Sequence, residues 1–129
     1  MDQDYATILD LRVDAVTQKQ ALEKVAWFLD SQKQHTIFTP NPEMLVDARK
    51  DEYFKEVLNS GDLNICDGFG LWLATHLSLR GSRFASADEA IQSSVVHIAG
   101  VDFMLDICRL AQEKGKSVYL LGSGDEEVI

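Results

Sequence analysis

Three times along this chain a short apolar run hands over to a loop built of Gly, Pro, Asn, Asp or Ser, and a helical pattern follows. Residues 35–39 (HTIFT) lead into Pro40-Asn41-Pro42-Glu43. Residues 62–66 (DLNIC) lead into Asp67-Gly68-Phe69-Gly70. Residues 117–121 (SVYLL) lead into Gly122-Ser123-Gly124-Asp125. Strands that alternate with helices predict an α/β fold of Rossmann-like, layered type, with a largely parallel sheet flanked by helices. Such folds bind ligands beyond the carboxyl ends of their strands, and all three loops fall there.

The rest of the chain fits between these handovers. Residues 6–15 (ATILDLRVDA) alternate apolar and polar with a break at Asp10, which predicts a short strand pair. Thr17 is the expected N-cap of a helix ending near Gln32, with Val16, Ala21, Val25, Trp27 and Phe28 as its apolar stripe. Pro42 suits a first helical turn, with Met44, Leu45 and Ala48 facing inward. A further helix is expected over 51–59, carrying Tyr53, Phe54, Val57 and Leu58, with Gly61 closing it. After DGFG a helix bears Leu71, Leu73, Ala74 and Leu77. Residues 80–96 (RGSRFASADEAIQSSVV) read as a loop or insertion. Residues 100–115 (GVDFMLDICRLAQEKG) read as an amphipathic helix closed by Gly115. The chain stops about one turn into the helix that follows GSG, and short isolated helices are marginal in water. The expectation is one domain over 1–129 that forms the N-terminal part of a longer protein.

Composition narrows the function classes. The chain is 46% hydrophobic and carries a net charge of −9. A core is within reach, and the acidic balance disfavours nucleic-acid binding, which needs a basic face. The two cysteines, Cys66 and Cys108, suggest apolar filler in a reducing cytosol. No apolar run is long enough to span a membrane and the acidic start is no signal peptide, so a cytoplasmic location is expected. His35, His76 and His97 are scattered without ligand spacing, so neither a metal site nor a cofactor is expected.

Each loop supports a chemical and a structural reading. Asp67 follows an apolar strand and precedes Gly68 and Gly70, which admit a ligand close to the backbone. Its carboxylate suits a general base, although spacing alone favours a helix N-cap. Thr39 and Asn41 offer a hydroxyl and an amide suited to sugar hydroxyls, held by Pro40 and Pro42, while Asn41 equally suits a capped turn. Gly122, Ser123 and Gly124 could cradle a phosphate at a helix N-terminus, yet the acids that follow would repel it, and a tight turn is the simpler reading. Cys66 has no histidine tied to it by sequence, so buried filler outweighs a nucleophile.

Taken together, TPNPE, the helix with MLVDARKD, EYFKEVLNSGDLNICDGFGLWLAT and IAGVDFMLDICRLAQEKGKSVYLLGSGDE resemble the WecG/TagA/CpsF glycosyltransferases. The likeness runs over residues 6–79 and 98–127, and residues 80–96 depart from it. The resemblance implies an inverting, metal-independent transferase. It would move N-acetylmannosamine or a related hexose from a UDP-sugar donor to a polyprenyl-diphosphate-linked sugar, in teichoic-acid, common-antigen or exopolysaccharide synthesis. It implies Asp67 as the base, Thr39, Asn41 and Gly68 in the sugar pocket, and Gly122, Ser123 and Gly124 near the nucleotide. Family members carry an arginine just before the Ala-Gly that precedes the GVDF-like helix. His97 stands there in this chain, a weaker and pH-dependent cation at a substrate-binding position, with Arg80 or Arg83 of the 80–96 stretch as the alternative cation. Members are roughly twice as long, self-associate, and meet the inner face of the cell membrane through a basic C-terminal appendage. The alternative from another class is a nucleotide- or sugar-binding module without turnover, or an inactive fragment of such an enzyme.

Overall fold

The computed structural model describes residues 5–67 and 97–122. Within them lie β1 (Tyr5–Ile8), β2 (Leu11–Asp14), α1 (Gln18–Asp30), β3 (Ile37–Phe38), α2 (Pro42–Ala48), α3 (Glu52–Asn59), β4 (Leu63–Asn64) and α4 (Gly100–Glu113). The architecture is mixed α/β, with β1 and β2 pairing antiparallel and β3 and β4 pairing parallel.

The expected strand pair at 6–15 is a hairpin in which Ala6 faces Val13 and Ile8 faces Leu11, all four buried. Leu9 and Asp10 both take positive φ, 50° and 65°, the backbone of a two-residue type I′ turn. α1 starts at Thr17, which accepts from the Gln20 backbone N–H, while the Gln20 side chain accepts from the Thr17 N–H at 2.8 Å. This reciprocal pair satisfies two donors that the first turn leaves open. α2 is capped by Asn41 and opens on Pro42, as expected. α3 is capped by Asp51. α4 ends where Gly115 turns at φ +64°, and Lys116 N–H reaches back to the Ala111 carbonyl at 2.8 Å.

Several expectations need correction. Trp27 is 62% exposed and Tyr53 75% exposed, so neither belongs to the core stripe of its helix. β3 covers two residues rather than five, and both are half-buried. The pairing nonetheless runs further than the strand, because Asp62, Ile65 and Asp67 N–H groups bond the carbonyls of Thr36, Phe38 and Pro40. Pro40 has no N–H to return, which weakens the ladder at that end. Gly61 is needed for space rather than for closing α3 in the left-handed region. A Cβ there would lie 2.4 Å from Asn64 Oδ1 and 2.7 Å from Phe38 Cδ2. Residues 117–121 form no strand and are exposed. An apolar run becomes a strand only when a neighbour takes its backbone groups, and no described residue does so. The expected helix after DGFG and the stretch 80–96 lie outside the described residues.

The β4 segment is buried throughout, and its apolar side chains divide between two clusters. Leu63 and Ile65 join Val16, Ala21, Val25, Ile98 and Phe103, the side of α1 and α4. Cys66 joins Ile8, Leu11, Val13, Leu45, Ala48 and Leu58, the side of the hairpin, α2 and α3. Asn64 is the polar exception. It is fully buried, its Nδ2 donates to the Leu58 and Arg12 carbonyls, and its N–H donates to Asp14 Oδ2 at 2.8 Å. Asp14, also buried, lies 3.2 Å from Arg12 Nε, and Arg12 Nη2 donates to the Gly61 carbonyl at 2.6 Å. These bonds fasten the hairpin to β4. Among the described residues no helix is long and apolar enough to cross a membrane.

Candidate active site

The C-terminal ends of β3 and β4 converge because the two strands run parallel. Beyond β3 the chain continues through Thr39, Pro40 and Asn41, and beyond β4 through Ile65, Cys66 and Asp67. Asp67 N–H donates to the Pro40 carbonyl at 3.2 Å, so the two loops are tied side by side. On the other side of Cys66, its carbonyl accepts from the Ile98 N–H at 3.1 Å. That bond brings the residues before α4 to the same end.

Gly100, the first residue of α4, closes the arrangement. A Cβ on it would lie 2.8 Å from Asp67 Oδ2 and 3.5 Å from Cβ and Cγ2 of Thr39. The Asp67 carboxylate and the Thr39 side chain therefore flank one point at the head of α4. Asp67 is half-buried, with backbone bonds on both sides of its loop and a carboxylate at the N-terminal end of a helix, where negative charge is favoured. Ala99, at the N-cap, has no side-chain acceptor. Sequence reasoning did not single out Gly100, and the only signal was a glycine opening an otherwise regular helical pattern.

Asn41 is half-buried beside these groups, but its Oδ1 accepts from Met44 N–H at 2.9 Å to cap α2. Any hydrogen bond it donates to a ligand falls to Nδ2. The cap fixes χ1 of Asn41 and hence the direction of that amide. Glu43 lies in the first turn of α2, where the helix dipole favours an acid. His97 is exposed, and it precedes Ile98, whose N–H is bound to Cys66. Gly122 is exposed, and a Cβ on it would meet no atom within 4 Å among the described residues. Gly68, Ser123 and Gly124 lie outside the described residues. The structure thus brings Thr39, Asn41 and Asp67 to one end of the parallel pair, with His97 on the adjoining segment.

Cys66 lies next to Asp67 in sequence but its side chain is buried in the hairpin cluster. Burial pushes its thiol up to about 11, and the Asp67 charge adds to the effect. It is a packing residue and not an available nucleophile. Among the described residues no three His, Cys, Asp or Glu side chains converge to hold a metal.

A carboxylate and a hydroxyl-bearing side chain at the carboxyl ends of parallel strands can take a proton from a sugar hydroxyl and orient it. Comparison with known proteins gives the chain a family. The N-acetylglucosaminyldiphosphoundecaprenol N-acetyl-beta-D-mannosaminyltransferase of Staphylococcus aureus (strain NCTC 8325 / PS 47) is 26% identical over 124 residues, covering 94% of this chain and 44% of the relative. The enzyme of the same description from strain MRSA252 is 25% identical over 122 residues, covering 92% and 43%. The chain thus spans less than half the length of these curated relatives. The sequence profile of the Glycosyl transferase WecG/TagA/CpsF family matches residues 6–129, and the chain belongs to that family.

Proposed function

We propose that this chain carries the acceptor-activating part of an inverting glycosyltransferase that moves N-acetylmannosamine or a related hexose from a UDP-sugar to a polyprenyl-diphosphate-linked sugar. The observation that carries this reading is the meeting of Asp67 and Thr39 at the head of α4, beyond the ends of β3 and β4. The names of the relatives support the acceptor class and the transferred sugar.

In this reading Asp67 accepts the proton of the acceptor hydroxyl as its oxygen attacks the anomeric carbon. The new carbon–oxygen bond forms on the face opposite the nucleotide. The bond to UDP breaks, and UDP leaves with the electron pair. Asp67 is left protonated and returns the proton to water. Thr39 and the Asn41 amide hold sugar hydroxyls, and positioning of this kind supplies much of the rate. His97 faces solvent on the segment leading into α4 and meets the lipid-side diphosphate. The GSG turn meets the nucleotide. The full protein works at the inner face of the cell membrane, where its acceptor lies, and as a self-associated species.

The test is UDP release by the whole protein from UDP-N-acetylmannosamine with a short-chain lipid-diphosphate acceptor. Acceptor-dependent release is expected. Asp67→Asn should lower kcat by about 10²–10⁴-fold, the range of a lost general base, with the fold intact by circular dichroism. Turnover unchanged by Asp67→Asn would remove Asp67 as the base. The second reading, a binding module without turnover, rests on His97 standing where the resemblance implies an arginine. UDP binding by the whole protein, with no release from any UDP-sugar, would establish that reading instead.

A further inference from the structure

Gly100 adopts no left-handed backbone, since the only described glycine with positive φ is Gly115. Its lack of a side chain therefore answers a need for space. Glycine is a poorer helix former than alanine, so its place in the first turn of α4 runs against local preference. The space is taken by Asp67. A Cβ at Gly100 would sit 2.8 Å from Asp67 Oδ2, closer than real Cβ atoms come to an oxygen, with Thr39 at 3.5 Å on the same side.

The backbone has little room to yield. Asp67 N–H is bonded to Pro40 on one side of the loop, and Ile98 N–H is bonded to Cys66 on the other. Moving α4 away from Asp67 would break the second bond, and moving the Asp67 loop would break the first. The group able to give is the carboxylate itself, by rotation about its χ angles.

We propose that Gly100 is a positioning residue for Asp67: its missing side chain is the room that keeps the carboxylate beside Thr39 at the head of α4. This rests on Asp67 being the base, and the readouts below separate the two statements. A methyl group at Gly100 swings the carboxylate out of line while leaving the donor and acceptor sites otherwise unaltered.

The experiment is a double-mutant cycle of Gly100→Ala and Asp67→Ala in the whole protein, read by melting temperature and by kinetics. In the parent, the cost of displacing the carboxylate offsets alanine's better helix propensity, so Gly100→Ala should shift the melting temperature less favourably than it does once Asp67 is removed. With Asp67→Ala already present, the same change should raise it, because the clash is gone and alanine is the better helix former. A shift of the same sign and size in both backgrounds would overturn the proposal. If Gly100→Ala alone does not fold, recovery of folding in the double variant supports the coupling, and failure to recover overturns it. In the kinetic arm, Gly100→Ala should lower kcat by about 100-fold, as a misplacement on the order of 1 Å does, with KM for the UDP-sugar within about twofold. A rise in KM at unchanged kcat would overturn it. Melting-temperature coupling in a protein that shows no transfer would leave the positioning intact and refute the catalytic reading of Asp67.

Discussion

Cys66 precedes Asp67 in the chain, is 1% exposed, and has its thiol raised to about 11 by burial first and by the Asp67 charge second. A raised thiol pKa keeps the neutral form through the physiological range, so the nucleophilic thiolate is scarce at pH 8. In the native protein Cys66 should therefore resist a disulfide reagent such as DTNB, while the half-buried Cys108 on α4 reacts first. Both should react once the chain is unfolded in denaturant. Native labelling of Cys66 as fast as Cys108, followed by peptide mapping, would show that the packing around it opens. The sequence already favoured filler for Cys66, because composition and the absence of a tied histidine are local facts. Asp14 was not legible in the same way. Alternation puts Arg12 and Asp14 on the outer face of the hairpin, yet β4 covers that face and Asp14 accepts from the Asn64 N–H. Which face of a strand meets a second layer is decided by chain segments some fifty residues away, beyond the reach of a period-two pattern.

At the scale of elements, the best-read features were those whose cause is local. Thr17 and Asn41 each cap the helix that follows them and Pro42 opens α2, as read, while Asp51, read as the first residue of its helix, caps it instead. Strand lengths were read less well, since β3 and β4 exist only as far as each finds the other. The hairpin turn is the element under most strain. A type I′ turn asks for positive φ at both central residues and is best served by Asn-Gly, but Leu9 and Asp10 occupy it here. Leu9 is 49% exposed, so little packing compensates for its left-handed backbone. What holds the turn is Asn59, whose Nδ2 donates to the Asp10 carbonyl and whose Oδ1 accepts from Arg12 N–H, both at 2.8 Å. Leu9→Asn should stabilise the protein by about 0.5–1 kcal/mol, because asparagine tolerates the left-handed region where leucine does not. Asn59→Ala should cost about 0.5–1.5 kcal/mol, since it removes two bonds to the backbone of the hairpin and water replaces the donor at the exposed Asp10 carbonyl. Urea melts of the two variants check both signs. Loss of stability in Leu9→Asn would mean that the Leu9 side chain packs to more effect than its exposure suggests.

For the whole molecule, the convergence of Thr39, Asn41 and Asp67 follows from topology, since parallel strands deliver their carboxyl ends to one side. The handovers from strand to loop marked two of its contributors. The run 117–121 read as a strand, yet no described residue pairs with it. The site's frame depends on the residues around β4 being gripped from both faces, Leu63 and Ile65 by α1 and α4, Cys66 by the hairpin, α2 and α3. The two clusters share a backbone that also carries the bonds from Asp67 to Pro40 and from Ile98 to Cys66. If either cluster opened alone, that backbone would lose its register and the other cluster would lose its floor. The clusters should therefore melt as one cooperative unit. Leu58→Ala on one face and Phe103→Ala on the other each empty a fully buried site and should cost about 2–5 kcal/mol, a large share of the roughly 5–15 kcal/mol that holds a domain. Both should shift a single transition, and amide exchange of residues in the opposite cluster should quicken as much as in the one that was cut. Two separate transitions, or exchange that quickens on one face alone, would show that the α1–α4 side and the hairpin side fold independently. Asp67 would then sit on a seam between two units instead of within one.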